Sequence, residues 1–189
     1  MIDIGAAYLI DVADQFRKQK QLAERALAQL PDEDLFARAS EEENSAAILV
    51  KHIAGNLRSR WTDFLTTDGE KPDRNRDGEF ETGAPDTRES LMRAWDAGWR
   101  LLFEQLGALA PEDLLRVVTV RGEPHTVIQA INRQLTHQTT HVGQIVLIAK
   151  ARRGAAWQTL SIPRGESAAF NAAMAREADR RGRAGTAGG

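Results

Sequence analysis

The 189-residue chain contains no cysteine. That excludes disulfides, thiolate-ligated zinc and a cysteine nucleophile, so any thiol chemistry must take its thiol from a co-substrate. No apolar run is long enough to cross a bilayer. Neither sign of charge dominates: 25 basic residues stand against 27 acidic ones, a formal net charge of -2. A nucleic-acid binder usually shows a basic stripe or a high pI, so neither nucleic acid nor a membrane is expected as a partner. The opening MIDIGAAYLIDVADQF lacks the basic segment, apolar stretch and small-residue cleavage site of a signal peptide. Asp3, Asp11 and Asp14 argue against a transit peptide, and the expected location is cytoplasmic. Internal repeats are absent. Histidine is scarce, at four residues.

What is present is ordinary for a globular chain: 42% hydrophobic and 28% charged residues. Four stretches carry a helical repeat of apolar side chains. The first runs from about Ile4 to Leu30 through Val12, Phe16, Ala23 and Leu27, with Pro31 as its stop and DEDLFARAS as a polar connector. The second begins at an Asn44 or Ser45 cap and reaches about Leu65. Gly55 inside it is costly in a helix and fits close approach by another helix. Residues 67–86 form a long connection with three Gly, two Pro and ten charged residues. The third helix opens on a capping box of Asp86 and Glu89, buries Leu91, Trp95, Trp99 and Leu102, and ends at Gly107. LRVVTV has the β-branched content of a short extended piece. The fourth helix starts near His125 or Thr126 and runs to Arg153, with Gly154 after it. WQTLSIPRGESAAFNAAMA reads as an ordered arm plus a short helical piece, and READRRGRAGTAGG as a disordered tail. The expectation is an all-α fold, a four-helix bundle with a C-terminal extension, residues 1–175 forming the bundle and 176–189 the tail.

The segment LTHQTTHVGQ sets His137 and His141 four residues apart on the fourth helix. Side chains at i and i+4 share one face, so both imidazoles can address one ion. The glutamate that would follow the first histidine in a metalloprotease motif is Gln138 here, so that chemistry loses its general base. A catalytic zinc site takes three protein ligands and keeps one position open. His52, between Val50 and Ile53 on the core side of the second helix, supplies the third. Asn56, Arg60 and Gln144 lie near the same faces, either as a polar rim or as support for the ligands. His125, beside Pro124, reads as a capping or exposed residue.

HIAGN in the second helix and HQTTHVGQIV in the fourth resemble the DinB-like (damage-inducible) metal-binding family over about residues 5 to 172. SRWTDFLTTDGEKPDRNRDGEF and WQTLSIPRGESAAFN resemble blocks of an uncharacterised bacterial branch of that superfamily. The resemblance implies an up-up-down-down bundle, a tri-histidine metal site at His52, His137 and His141, and homodimers. Relatives of this kind include thiol-dependent transferases, among them bacillithiol transferases and mycothiol-dependent maleylpyruvate isomerase. The absence of cysteine agrees with an external low-molecular-weight thiol.

The long connection adds Arg74, Arg76 and Glu79 as candidate catalytic residues. Folded over the pocket, Arg74 or Arg76 would grip an anionic group and Glu79 would move a proton. Left in solvent, the same residues make a solvated linker. SIPRGES is either a lid or dimer contact, or a surface segment in which Arg164 pairs with an acid. Three functional readings follow. The first is a transferase in which a divalent ion (zinc, nickel, iron or manganese) ionises an incoming thiol against a small-molecule substrate. The second is a metal-dependent hydrolase whose bound water is the nucleophile. The third is a non-enzymatic helical dimer or binding protein with a structural metal, which a fourth protein ligand would close.

Overall fold

In the computed structural model residues 3–186 are described, with side chains to residue 180. The chain is mostly helical and divides into two compact units, Met1–Trp157 and Gln158–Gly189.

Helix α1 spans Ile4–Leu27 and is capped by Asp3, whose Oδ1 accepts from Gly5 N at 2.7 Å. It ends before the expected Leu30. Gln29 N and Leu30 N bond back three residues, to Ala26 O and Leu27 O, and so tighten the last turn. The expected polar connector contains a short helix, α2, at Asp32–Phe36. Pro31 stands at its N-cap and three acids occupy its first turn, where they favour the positive helix end.

Helix α3, Ala46–Trp61, is capped by the Ser45 side chain. It stops four residues short of Leu65. Thr62 Oγ1 donates to Arg58 O at 2.7 Å, and Asp63 takes a left-handed φ of 47°, which aspartate tolerates and a helix does not. Helix α4 is Arg88–Ala108. Its capping box is Thr87 with Ser90 rather than Asp86 with Glu89. Asp86 instead accepts from Gly83 N at 2.8 Å and from Lys51 Nζ at 3.0 Å. Gly107 lies inside the helix, which closes one residue later.

LRVVTV contributes strand β1, Val117–Val120, which pairs antiparallel with β2, Glu123–Thr126, Val120 opposite Glu123. The two residues between them, Arg121 and Gly122, have φ of 57° and 75°, the double left-handed pair of a tight hairpin turn. Helix α5, Val127–Arg153, follows directly, capped by Thr126 with Gln129.

In the first unit α3 packs on both α4 and α5, and α1 on α5 and α4. Its core is aromatic in the middle: Phe16 meets Trp61 and Trp99 edge-on at 6.5 and 6.3 Å between centroids. Gly98 is what permits the close contact of α4 with α3. A Cβ there would sit 3.1 Å from Leu57 Cβ and 3.2 Å from Ala54 O.

In the second unit α6 spans Ser167–Thr186. It crosses 176–186, for which the sequence predicts a tail without regular structure. Arginine and alanine make up more than half of that stretch and have high helix propensity, which a search for apolar periodicity does not register. Residues 187–189 of the expected tail lie outside the described residues. Arg164 of SIPRGES is exposed.

Candidate metal centre

His52 comes from the middle of α3, and His137 and His141 from successive turns of one face of α5. Packing of α3 on α5 brings the three together. One nitrogen from each ring lies within 4.8 Å of the other two. His52 Nε2 and His137 Nε2 are 3.1 Å apart. Two imidazole nitrogens bound to one ion at about 2.0–2.1 Å stand roughly 2.9–3.4 Å apart, between right-angled and tetrahedral geometry. The ring centroids of His137 and His141 are 4.5 Å apart, as two side chains four residues apart on one helix face should be.

In two of the rings the other nitrogen sets the tautomer. His52 Nδ1 donates to Glu79 Oε2 at 2.8 Å. An ionised carboxylate only accepts, so the proton is on Nδ1 and the Nε2 lone pair points away from Glu79. His141 Nδ1 donates to the Gln144 carbonyl oxygen at 2.9 Å, which frees its Nε2 in the same way. His137 Nδ1 is buried without a protein partner. Burial drives the His137 pKa down to about 3, and the charges of His141, His52, Arg74 and Arg60 act in the same direction. Burial also lowers His141, against the raising effect of its hydrogen bond to Gln144. Neutral imidazole is the form that ligates, so the lowered pKa values of His137 and His141 suit these two rings to a divalent ion.

The connection between α3 and α4 folds onto this site. Residues Asp77–Phe80 form a 3-10 turn against α3. It drives Glu79, 6% exposed, down to His52. Arg74 locks the carboxylate from the other side, Nε to Oε1 and a terminal nitrogen to Oε2, both at 2.8 Å. Burial pushes Glu79 upward, but Arg74 and His52 outweigh it and hold the carboxyl below its ordinary range. Gly55 faces this carboxylate: a Cβ on residue 55 would overlap Glu79 Oε1. The glycine that seemed suited to a neighbouring helix makes room for a glutamate instead.

Of the three candidate catalytic residues, the structure therefore places Glu79 and Arg74 behind His52, with both Glu79 oxygens occupied. Arg76 lies apart from this pair, half-exposed over the Phe80 ring at 5.1 Å. His125 is not among the clustered histidines and bonds its neighbour Glu123 O at 3.0 Å.

In front of the histidines lies a cavity of about 270 Å³. His52, His137 and His141 line one part of it. Asn56 and Gln134, hydrogen-bonded to each other at 2.9 Å, line the next, and Trp61, Phe64 and Phe80 give it apolar walls. The hairpin contributes Thr119, Val120 and Arg121. Sequence reasoning overlooked Arg121, Arg133 and Gln134 as cavity residues. Arg133 and Gln134 had a signal available, being four and three residues before His137. Arg121 had none, since only the fold brings the hairpin there. Among the described residues, no fourth histidine, cysteine or carboxylate joins the cluster.

A family model described as "Protein of unknown function (DUF1572)" matches residues 3–166. No curated protein matches the chain. No helix among the described residues is long and apolar enough to cross a membrane.

Proposed function

The chain belongs to that family of unknown function, and from this premise we propose that it is a metal-dependent enzyme acting on a small molecule. His52, His137 and His141 hold a divalent ion. The observation that carries this reading is the convergence of three imidazoles on a cavity where, among the described residues, no fourth protein ligand joins them. A structural site is closed by a fourth ligand, whereas a catalytic one keeps a position for substrate. When bound, the ion supplies Lewis acidity, favouring ionisation of a thiol or water brought to its open position.

The chain's own residues have distinct tasks in this reading. Glu79 fixes the His52 tautomer and raises its basicity as a ligand, and Arg74 keeps Glu79 ionised and aimed. Trp61, Phe64 and Phe80 exclude water from the reacting groups. Transfer to or from an external thiol is preferred over hydrolysis because of the DinB-like resemblance. That resemblance also underlies the proposals of an up-up-down-down arrangement of α1, α3, α4 and α5 and of homodimers, while a cytoplasmic location is proposed from the composition alone. A non-enzymatic role with a structural ion is less favoured, since nothing among the described residues closes the site.

Elemental analysis of the untagged protein, with His52→Ala and His137→Ala variants beside it, tests the reading. Near-stoichiometric metal in the wild type, lost in both folded variants, is the expected result. A wild type that takes up no zinc, nickel or manganese from excess would sink it.

A further inference from the structure

The cavity has two chemically different ends, arranged by two helices. On α3, His52, Asn56 and Arg60 follow one another at four-residue steps, and all three line the cavity. On α5, His141, His137 and Arg133 do the same in the opposite chain direction, with Gln134 beside them. Four residues of helix rise about 6 Å. Imidazoles therefore mark one end, the Asn56–Gln134 amide pair the middle, and guanidinium groups the other end. Arg121 of the hairpin joins that second end.

Counting charges shows that this end is under-neutralised. Five arginines line the cavity and no carboxylate does; three of them, Arg60, Arg121 and Arg133, lie at this end, while Arg74 sits behind His52 and Arg76 faces Asp77 at 3.9 Å. Glu79 is committed to Arg74. Glu70 alone serves Arg60 at 2.9 Å and Arg121 at 3.1 Å, and also reaches Arg74 at 3.3 Å. Arg133 makes no ion pair or side-chain hydrogen bond among the described residues, and it is exposed at the cavity mouth. A planar guanidinium left free beside two half-neutralised ones matches an incoming oxyanion, which it can bind through two parallel hydrogen bonds.

We propose that the cavity takes a small organic oxyanion, its carboxylate or phosphate held by Arg133 with Arg121 and Arg60, and its reacting group presented to the histidines, one to two four-residue steps or about 6–12 Å away along the helices. The position of the reacting group rests on the metal reading above; the anion site does not. Arg133 and Arg121 thus select substrates by charge.

The test is calorimetry on cobalt-loaded and metal-free protein with four short thiols. These are 3-mercaptopropionate and its methyl ester, and 2-mercaptoethyl phosphate and its neutral counterpart 2-mercaptoethanol. One anion of the two should bind about ten-fold or more tightly than its neutral counterpart, and whichever shows the larger ratio identifies the oxyanion. The preference should persist at lower affinity without metal. It should disappear in Arg133→Gln and remain in Arg100→Gln, which alters an exposed arginine of α4 outside the cavity. Equal binding of charged and neutral probes in both forms, or a preference that survives Arg133→Gln together with Arg121→Gln, overturns the proposal. Failure to load cobalt counts against the metal reading alone, because the metal-free titration still decides the anion site.

Discussion

At the residue scale, Gly55 and Glu79 form one unit despite being separated by 24 positions. The glutamate reaches His52 only because residue 55 lacks a side chain. Gly55→Ala should therefore lower metal affinity by about ten-fold or more, the usual consequence of losing a ligand's hydrogen-bond partner, as read by chelator competition. Unchanged affinity would mean that Glu79 does not tune the site. The three histidines were legible in the sequence because helical spacing and a core-facing position are local properties. The work of Glu79 was not, because a 3-10 turn in a charged loop carries no periodicity to say where it lands. Gln138 is a second residue-scale case. It is fully buried, yet neither polar atom of its side chain has a partner. Such a group costs roughly 1–3 kcal/mol. Gln138→Leu should raise the melting temperature, while a lower one would show that the amide holds an internal water.

At the element scale, the hairpin is tied to the long connection by one carboxylate. Asp68 accepts from Glu70 N at 2.6 Å and from Arg121 N and Gly122 N at 2.8 Å each. Burial pushes its pKa up, but these backbone donors outweigh that and bring it from 3.8 down to about 2. The unfolded chain then binds a proton at a pH where the folded one does not. The resulting stabilisation is complete above about pH 4 and fades as pH falls towards 2. Melting temperatures of the wild type and Asp68→Ala should converge across that window. Parallel curves would show that the clamp is unimportant. The strand content of LRVVTV was readable from its β-branched residues, but the clamp that places the hairpin at the cavity depends on an aspartate 53 positions from Arg121. Helix ends were the least legible feature. Thr62 and Asp63 end α3 through a backbone reversal that competes with the apolar pattern continuing to Phe64 and Leu65.

At the scale of the whole molecule, the proposed ion would join two long helices whose ligands are 85 positions apart. Anything that binds only the folded state stabilises it by mass action, about 2.7 kcal/mol at a hundred-fold excess over Kd. Saturating divalent metal should raise the melting temperature, chelation should reverse the shift, and His52→Ala should be insensitive to both. A wild type equally indifferent to metal would contradict the tri-histidine reading. The ring contacts of α3 and α5 were predictable in kind from two inward-facing helical stripes. The close approach of α4 to the same α3 was not, because it depends on Gly98 lacking a side chain against Leu57 and Ala54.

The order of the ligands along the chain has a consequence for biosynthesis. His52 and the segment bearing Glu79 emerge early, but the other two ligands lie on α5, after the hairpin. A nascent or truncated product ending before residue 137 carries only one of the three clustered histidines, His52, a weak trap for any ion. In the tri-histidine reading the site is therefore completed only when nearly the whole helical unit has been made, and metal choice would fall to the ion available where folding finishes.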